Sequence, residues 1–205
     1  MFRTRKTAAL ARWLLGKTLV RARGAGGETA VLITEVEAYD GPRDRASHAH
    51  ADRGRTPRNA VMFEPGGVWY VYLCYGMHEM LNLVTGPRGY PAAILIRGVA
   101  GTIGPGRVTR SLGIGRKLNG APAAPASGLW IEDRGLRVPP RLVRATPRVG
   151  VDYAGPEWAR KKWRFTFDPA ALPQEALPGA GRRRLTSGAG TANSARRRPR
   201  AAYSR

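Results

Sequence analysis

Two glutamates stand two residues apart in the stretch LITEVEAYDGPRDRASHAH, residues 32–50. Behind Glu35 and Glu37 come Asp40, Asp44, His48, His50 and Asp52. Acid is scarce in this chain: 35 Lys and Arg stand against 14 Asp and Glu, a formal net charge of +21. Carboxylates inside an apolar run of so basic a chain call for a reason, either a functional cleft or a paired, structural role. The seven residues also offer enough oxygen and nitrogen donors for a metal site, as in a metal-dependent nuclease or phosphodiesterase. Their scatter over a polar loop without fixed spacing speaks against that, and a lone cysteine, Cys74, excludes the thiolate zinc patterns. The plainest alternative is an edge strand whose glutamates are solvated or paired with arginine.

A second stretch, VWYVYLCYGMHEMLN at residues 68–82, concentrates aromatics. By strand period Tyr70 and Tyr72 share a face. Tyr75 precedes Gly76, where a turn is predicted. Such tyrosines commonly belong to a core strand. In a basic protein they also make a platform on which bases stack, and a tyrosine at a turn tip can wedge between base steps from the minor groove.

The elements that must hold these residues are partly legible. Residues 6–15 have apolar positions at helical spacing, with Gly16 as a stop. TLVRAR and TAVLITEVEAY read as two strands joined through GAGGE. Strict alternation along the second puts Ile33, Glu35, Glu37 and Tyr39 on one face, and Thr34, Val36 and Ala38 on the other. The glutamates then project into solvent or a cleft. PAAILIRGV is strand-like, GRVTRSLGI a short helix after Gly104-Pro105-Gly106, APAAPASG a flexible insertion, and GLWIEDRG and WRFTFD late strands.

The chain has 205 residues, room for one domain with a core, and its charge points to a polyanionic partner, nucleic acid first. One cysteine permits no intrachain disulfide and suits a reducing cytoplasm. Arg12 interrupts the apolar stretch of the N-terminal segment, which reads as an amphipathic helix and not a signal peptide. No apolar run approaches the roughly 20 residues that span a bilayer; charge alone would also suit an anionic membrane surface, but no membrane partner is the expectation. From residue 169 large apolar residues thin out, and residues 181–205 carry eight arginines and no acid. A disordered basic tail over 169–205 is the expectation. Without those eight charges the rest still carries 21 − 8 = +13.

Taken in order, E-A-Y-x-G-P, H, T-P-R-N, M-F, Y-V-Y-x-x-Y-G-M and L-N, then AAILIRG, GPGRVTRSLGI and PRVGV with EWARKKWRF, resemble the alkyladenine (3-methyladenine) DNA glycosylase family. The resemblance runs from about residue 6 to about residue 168. It implies an α+β single domain over 1–168, a curved, mainly antiparallel sheet or partly open barrel with flanking helices and a protruding β-hairpin. It implies a monofunctional enzyme that flips alkylated or deaminated purines out of double-stranded DNA and hydrolyses the N-glycosidic bond. No cofactor, no metal, a monomeric state and a cytoplasmic, nucleoid-associated location go with it. Glu37 matches the family's general base, Arg97 an arginine beside the attacking water, and the Val149 carbonyl another ligand of that water. Tyr39, His48 and Tyr72 match the residues that enclose the flipped base, with His50 competing for the place of His48. Asn82 matches a residue that obstructs the 2-amino group of normal guanine, and Tyr75 the wedge in the duplex. Arg107 stands at a phosphate-contacting position where many members have lysine. Glu35 is left as a supporting or salt-bridging residue. The non-enzymatic rival is a basic nucleic-acid-binding or ribosome-associated module, which would gain nothing from Glu37 near phosphate.

Overall fold

The computed structural model describes residues 2–24 and 27–173. Helix α1 (Thr7–Leu14) buries Thr7, Leu10, Ala11 and Leu14, the i, i+3, i+4, i+7 stripe of one helix face. It ends before Gly16, whose positive φ of 77° suits glycine and whose place beside Val138 leaves no room for a side chain. The chain then enters a nine-stranded antiparallel sheet. Its strands are β1 (Thr18–Ala22), β2 (Glu28–Asp40), β3 (Trp69–Cys74), β4 (His78–Val84), β5 (Ala92–Val99), β6 (Thr102–Ile103), β7 (Leu129–Glu132), β8 (Arg144–Thr146) and β9 (Arg164–Thr166). The main order is β3-β4-β5-β2-β1-β7, with β6 on β5 and β9 joining β8 to β2. The sheet is curved and does not close into a barrel. Helix α1 packs on β2, and helix α2 (Pro105–Leu112) packs on β4 and β5. Helix α3 (Pro156–Ala159) is a single turn. No helix among the described residues is long and apolar enough to cross a membrane.

β2 departs from strict alternation. Its pairing with β5 slips between Ile33 and Glu35 and again between Glu35 and Val36. The first slip leaves Thr34 unmatched and the second leaves Arg97 unmatched on β5. Ile33 therefore turns to the core with Val36 and Ala38, while Glu35 and Glu37 face the other way. The expectation that Ile33 shares the glutamates' face is corrected by this bulge, which inserts one residue and reverses the side-chain parity. Nor is this an edge strand. Residues 35–37 pair with β5 on one side and β9 on the other, and both glutamates are buried.

Two further readings change. The insertion APAAPASG is part of the fold: Trp69 N–H donates to Ala121 O and Ala123 N–H to Gly67 O, so it closes the outer edge of β3. The folded chain also runs past 168. Pro169–Ala171 forms a turn capped by Asp168, and Leu172 packs in the core. The rest of the proposed tail, from 174 onward, lies outside the described residues.

Candidate active site

β2 and β5 lie side by side with Glu37 opposite Leu95 in register, which brings Glu37 and Arg97 to one concave face. The bulge on β5 turns Arg97 towards both glutamates. Its Nε lies 2.9 Å from Glu35 Oε1 and 3.4 Å from Glu37 Oε1. Arg164, from β9, places its Nε 2.7 Å from the same Glu35 oxygen. Glu35 is thus occupied between two guanidinium groups, the salt-bridging role expected of it. Glu37 is bound differently. Its Oε1 accepts the Val149 amide N–H at 2.8 Å and its Oε2 the Tyr39 hydroxyl at 2.9 Å. Burial drives the Glu37 carboxyl above its ordinary range, while Arg97, the Val149 amide and Tyr39 pull it back and Glu35 pushes it up again. Burial first, then Glu37, pushes the Tyr39 phenol well up, so it stays protonated and keeps donating.

In front of this cluster opens a pocket of about 300 Å³. Glu37 itself is fully buried behind three residues that do line it, Tyr39, Arg97 and Val149. The opposite wall is aromatic. The His48 ring meets Tyr72 edge-on with centroids 4.6 Å apart, and Tyr72 lies 5.1 Å from Tyr70 at a 30° tilt. Tyr70 OH and His48 Nδ1 are 3.3 Å apart. Burial, then Arg58 and Arg53, lowers the His48 pKa to about 4, so the imidazole is neutral near pH 7. Asn82, on β4, reaches the same pocket, its Nδ2 donating to Tyr70 O at 3.1 Å and Met80 O at 3.2 Å.

The β3–β4 hairpin carries the rim. Its turn has positive φ at both Tyr75 (50°) and Gly76 (70°), and Met77 N–H donates to Cys74 O. Two consecutive positive φ values are the mark of a tight hairpin turn, and Gly76 supplies one freely. Tyr75 is the only non-glycine residue with positive φ among those described, and 88% of it is exposed. A large apolar side chain held out in a strained conformation is a feature expected at a functional site. Across the pocket mouth stands Tyr153, also exposed, its hydroxyl donating to Ala46 O at 2.9 Å.

The structure therefore gathers Glu37, Arg97, Val149, Tyr39, His48, Tyr72, Asn82 and Tyr75 around one pocket. His50 falls elsewhere, beside Asp52 in a separate groove. Arg107 is exposed on the first turn of α2, whose Pro105 touches the pocket. Val149 presents its amide to Glu37, a contact the sequence reading did not include. Tyr70 and Tyr153 were missed as well. The shared strand face of Tyr70 and Tyr72 signalled the first, whereas Tyr153 sits in a short turn with no periodic signal. The carboxylates that suggested a metal site are dispersed. Asp40 accepts from Thr7 and Tyr90, and Asp44 pairs with Arg148. Among the described residues no three His, Cys, Asp or Glu side chains converge as metal ligands.

The chain matches the family described as methylpurine-DNA glycosylase (MPG) over residues 1–103 and 100–170. Among its relatives are several that carry the name "Putative 3-methyladenine DNA glycosylase". That of Anaeromyxobacter dehalogenans (strain 2CP-C) is 45% identical over 184 residues, 86% of each chain. That of Methanocella arvoryzae is 43% identical over 198 residues, 87% of this chain and 96% of the relative. The DNA-3-methyladenine glycosylase of Arabidopsis thaliana is 42% identical over 176 residues, 76% of this chain and 65% of the plant protein. The chain is thus of the class of monofunctional DNA glycosylases, hydrolases that cut N-glycosyl bonds. Within that class the chain is a member of the methylpurine-DNA glycosylase family.

Proposed function

We propose that the protein, acting as a monomer, flips alkylated or deaminated purines out of double-stranded DNA and hydrolyses their N-glycosidic bond to leave an abasic site. The substrate class is that of 3-methyladenine, 7-methylguanine, hypoxanthine and etheno-adenine. The observation that carries this reading is the Glu37 carboxylate, fixed behind Tyr39, Arg97 and Val149 at the back of an aromatic pocket of about 300 Å³. Glu37 deprotonates a water as its oxygen attacks C1′. The C1′–N bond breaks, its electron pair leaves with the base, and the proton passes to Glu37. The attack runs through an oxocarbenium-like state, whose positive charge the same carboxylate stabilises. Arg97 and the carbonyl of Val149 hold the water. Glu37 Oε2 accepts from Tyr39 alone and Oε1 from the Val149 amide, with Arg97 Nε further off at 3.4 Å, which leaves lone pairs for that water.

Tyr39, Tyr72 and neutral His48 enclose the base. Purines alkylated at N3 or N7 are cationic, and electron-rich ring faces favour a cation above them. Such a base already leaves as a neutral molecule. Asn82 crowds the place where a 2-amino group would project and so disfavours normal guanine, a cost that the cationic ring of 7-methylguanine offsets against the aromatic faces. Tyr75 fills the gap left in the duplex, and Arg107 contacts phosphate. No lysine lines the pocket among the described residues, so water serves as nucleophile.

The test is single-turnover base release in EDTA, from duplexes carrying one alkylated adenine or one hypoxanthine. Wild type is expected to release base, and Glu37→Gln to bind the same duplex but release base on the order of 10²–10⁴-fold more slowly. A folded wild type that binds duplex and releases nothing would leave only a nucleic-acid-binding module.

A further inference from the structure

Asp44 and Arg148 form an ion pair with neither side chain exposed. The pairing is bidentate: Nη1 lies 2.6 Å from Oδ2, and Nη2 2.9 Å from Oδ1. The carboxylate also accepts the amides of Asp40 and Ala46, each at 3.1 Å. The guanidinium donates to Ala38 O at 2.9 Å and lies 4.8 Å from the centre of the Tyr39 ring and 5.2 Å from that of Trp163. A buried pair of this kind is weak evidence for stability, because apolar residues of the same volume can do as well. Its placement suggests another use. The next residue, Val149, donates its amide to Glu37, and the guanidinium is docked on Ala38, the neighbour of Glu37 in β2. Side chain and following amide thus grip adjacent residues of one strand.

We infer that the Asp44–Arg148 pair is a positioning device for the general base: it clamps the 148–150 turn onto β2 so that the Val149 amide is held on Glu37 Oε1. The inference rests on the reading of Glu37 as that base. Lysine in place of Arg148 would keep the charge but lose the planar fork that makes these contacts together. The other groups facing Glu37 are Glu35 and Tyr39 on its own strand, Arg97 on β5, and Arg164 on β9, whose guanidinium is engaged by Glu35. None of them is held by the pair as directly as Val149, although the guanidinium does flank the Tyr39 ring.

The test compares wild type, Arg148→Lys and Asp44→Asn as full chains. Single-turnover base release across pH is measured beside the backbone amide NMR spectrum. In both variants release at neutral pH is expected to fall on the order of 10²-fold, the effect of a small misplacement at a reacting centre. The acid limb moves to higher pH, because ionised Glu37 has lost a donor. DNA affinity is kept, and the Val149 amide resonance leaves its hydrogen-bonded position while most others stay. A rate loss with the acid limb and the Val149 resonance both unmoved would overturn the inference. So would failure of both variants to fold, which would make the pair a determinant of the fold alone. A wild type without base release would count against the glycosylase reading only, since the Val149 resonance still decides where the amide is held.

Discussion

Glu37 is a charge in a place that disfavours charge. Burial raises its pKa in the folded chain above the ordinary value of 4.5. Between that value and the higher folded one, the folded state binds more protons than the unfolded state, so stability falls as pH rises through the window. Above it, the ionised carboxylate is a standing destabilisation. Glu37→Gln removes this and keeps an oxygen for Val149 and an amide for Tyr39. At pH 7 it is expected to unfold at a higher temperature than wild type, while base release drops on the order of 10²–10⁴-fold. Calorimetry beside single-turnover kinetics checks both, and an unchanged or lower midpoint at pH 7 would contradict the burial argument. The same shift sets the pH profile of wild type. Release needs ionised Glu37, so it declines as pH falls through a pKa above 4.5. His48, neutral down to about 4, contributes no limb above that. A wild-type profile flat down to pH 4 would refute the assignment.

At the scale of the element, the β3–β4 hairpin trades conformational ease for a projecting ring. Tyr75 holds φ at 50°, a region in which a non-glycine residue is strained by about 1 kcal/mol or more. Asparagine tolerates that region far better. Tyr75→Asn is expected to leave stability equal or raised by up to about 1 kcal/mol. Base release from duplex should fall, and release from single-stranded substrate should change little, because only the duplex has a gap to fill. Equal losses on both substrates would remove Tyr75 from the duplex. The bulge in β2 is the other device at this scale. By inserting one residue it keeps Ile33, Val36 and Ala38 in the core and still turns both glutamates towards Arg97.

For the whole molecule the governing quantity is charge. With 35 cationic residues against 14 anionic ones, association with DNA is expected to weaken steeply with salt as bound cations are released. The eight arginines of residues 181–205 are part of that field. Deleting them should flatten the slope of log affinity against log salt by up to about 7, if all eight contact phosphate. An unchanged slope would show that the segment makes no phosphate contacts. Single-turnover release at saturating enzyme should be unchanged, because the pocket is built wholly from residues 39–153.

The sequence by itself determined a good deal. The α1 stripe, the hairpin turn at Tyr75-Gly76 and the strands rich in β-branched and aromatic residues follow from local periodicity and turn chemistry, which act over a few residues. The order of the motifs identified the residues that meet in the pocket. What tertiary structure decided were matters of pairing between distant segments. Alternation alone put Ile33 with the glutamates, and only its pairing with β5 reveals the bulge that separates them. The glutamates could have been solvated, since burial depends on β5 and β9 closing over β2 from more than fifty residues away. The choice of His48 over His50 depended on how a polar loop wraps, and that loop is held by Asp44 through an arginine 104 residues later in the chain. The Val149 amide carries no side-chain signature at all: a backbone donor finds its carboxylate only once the chain has folded around it.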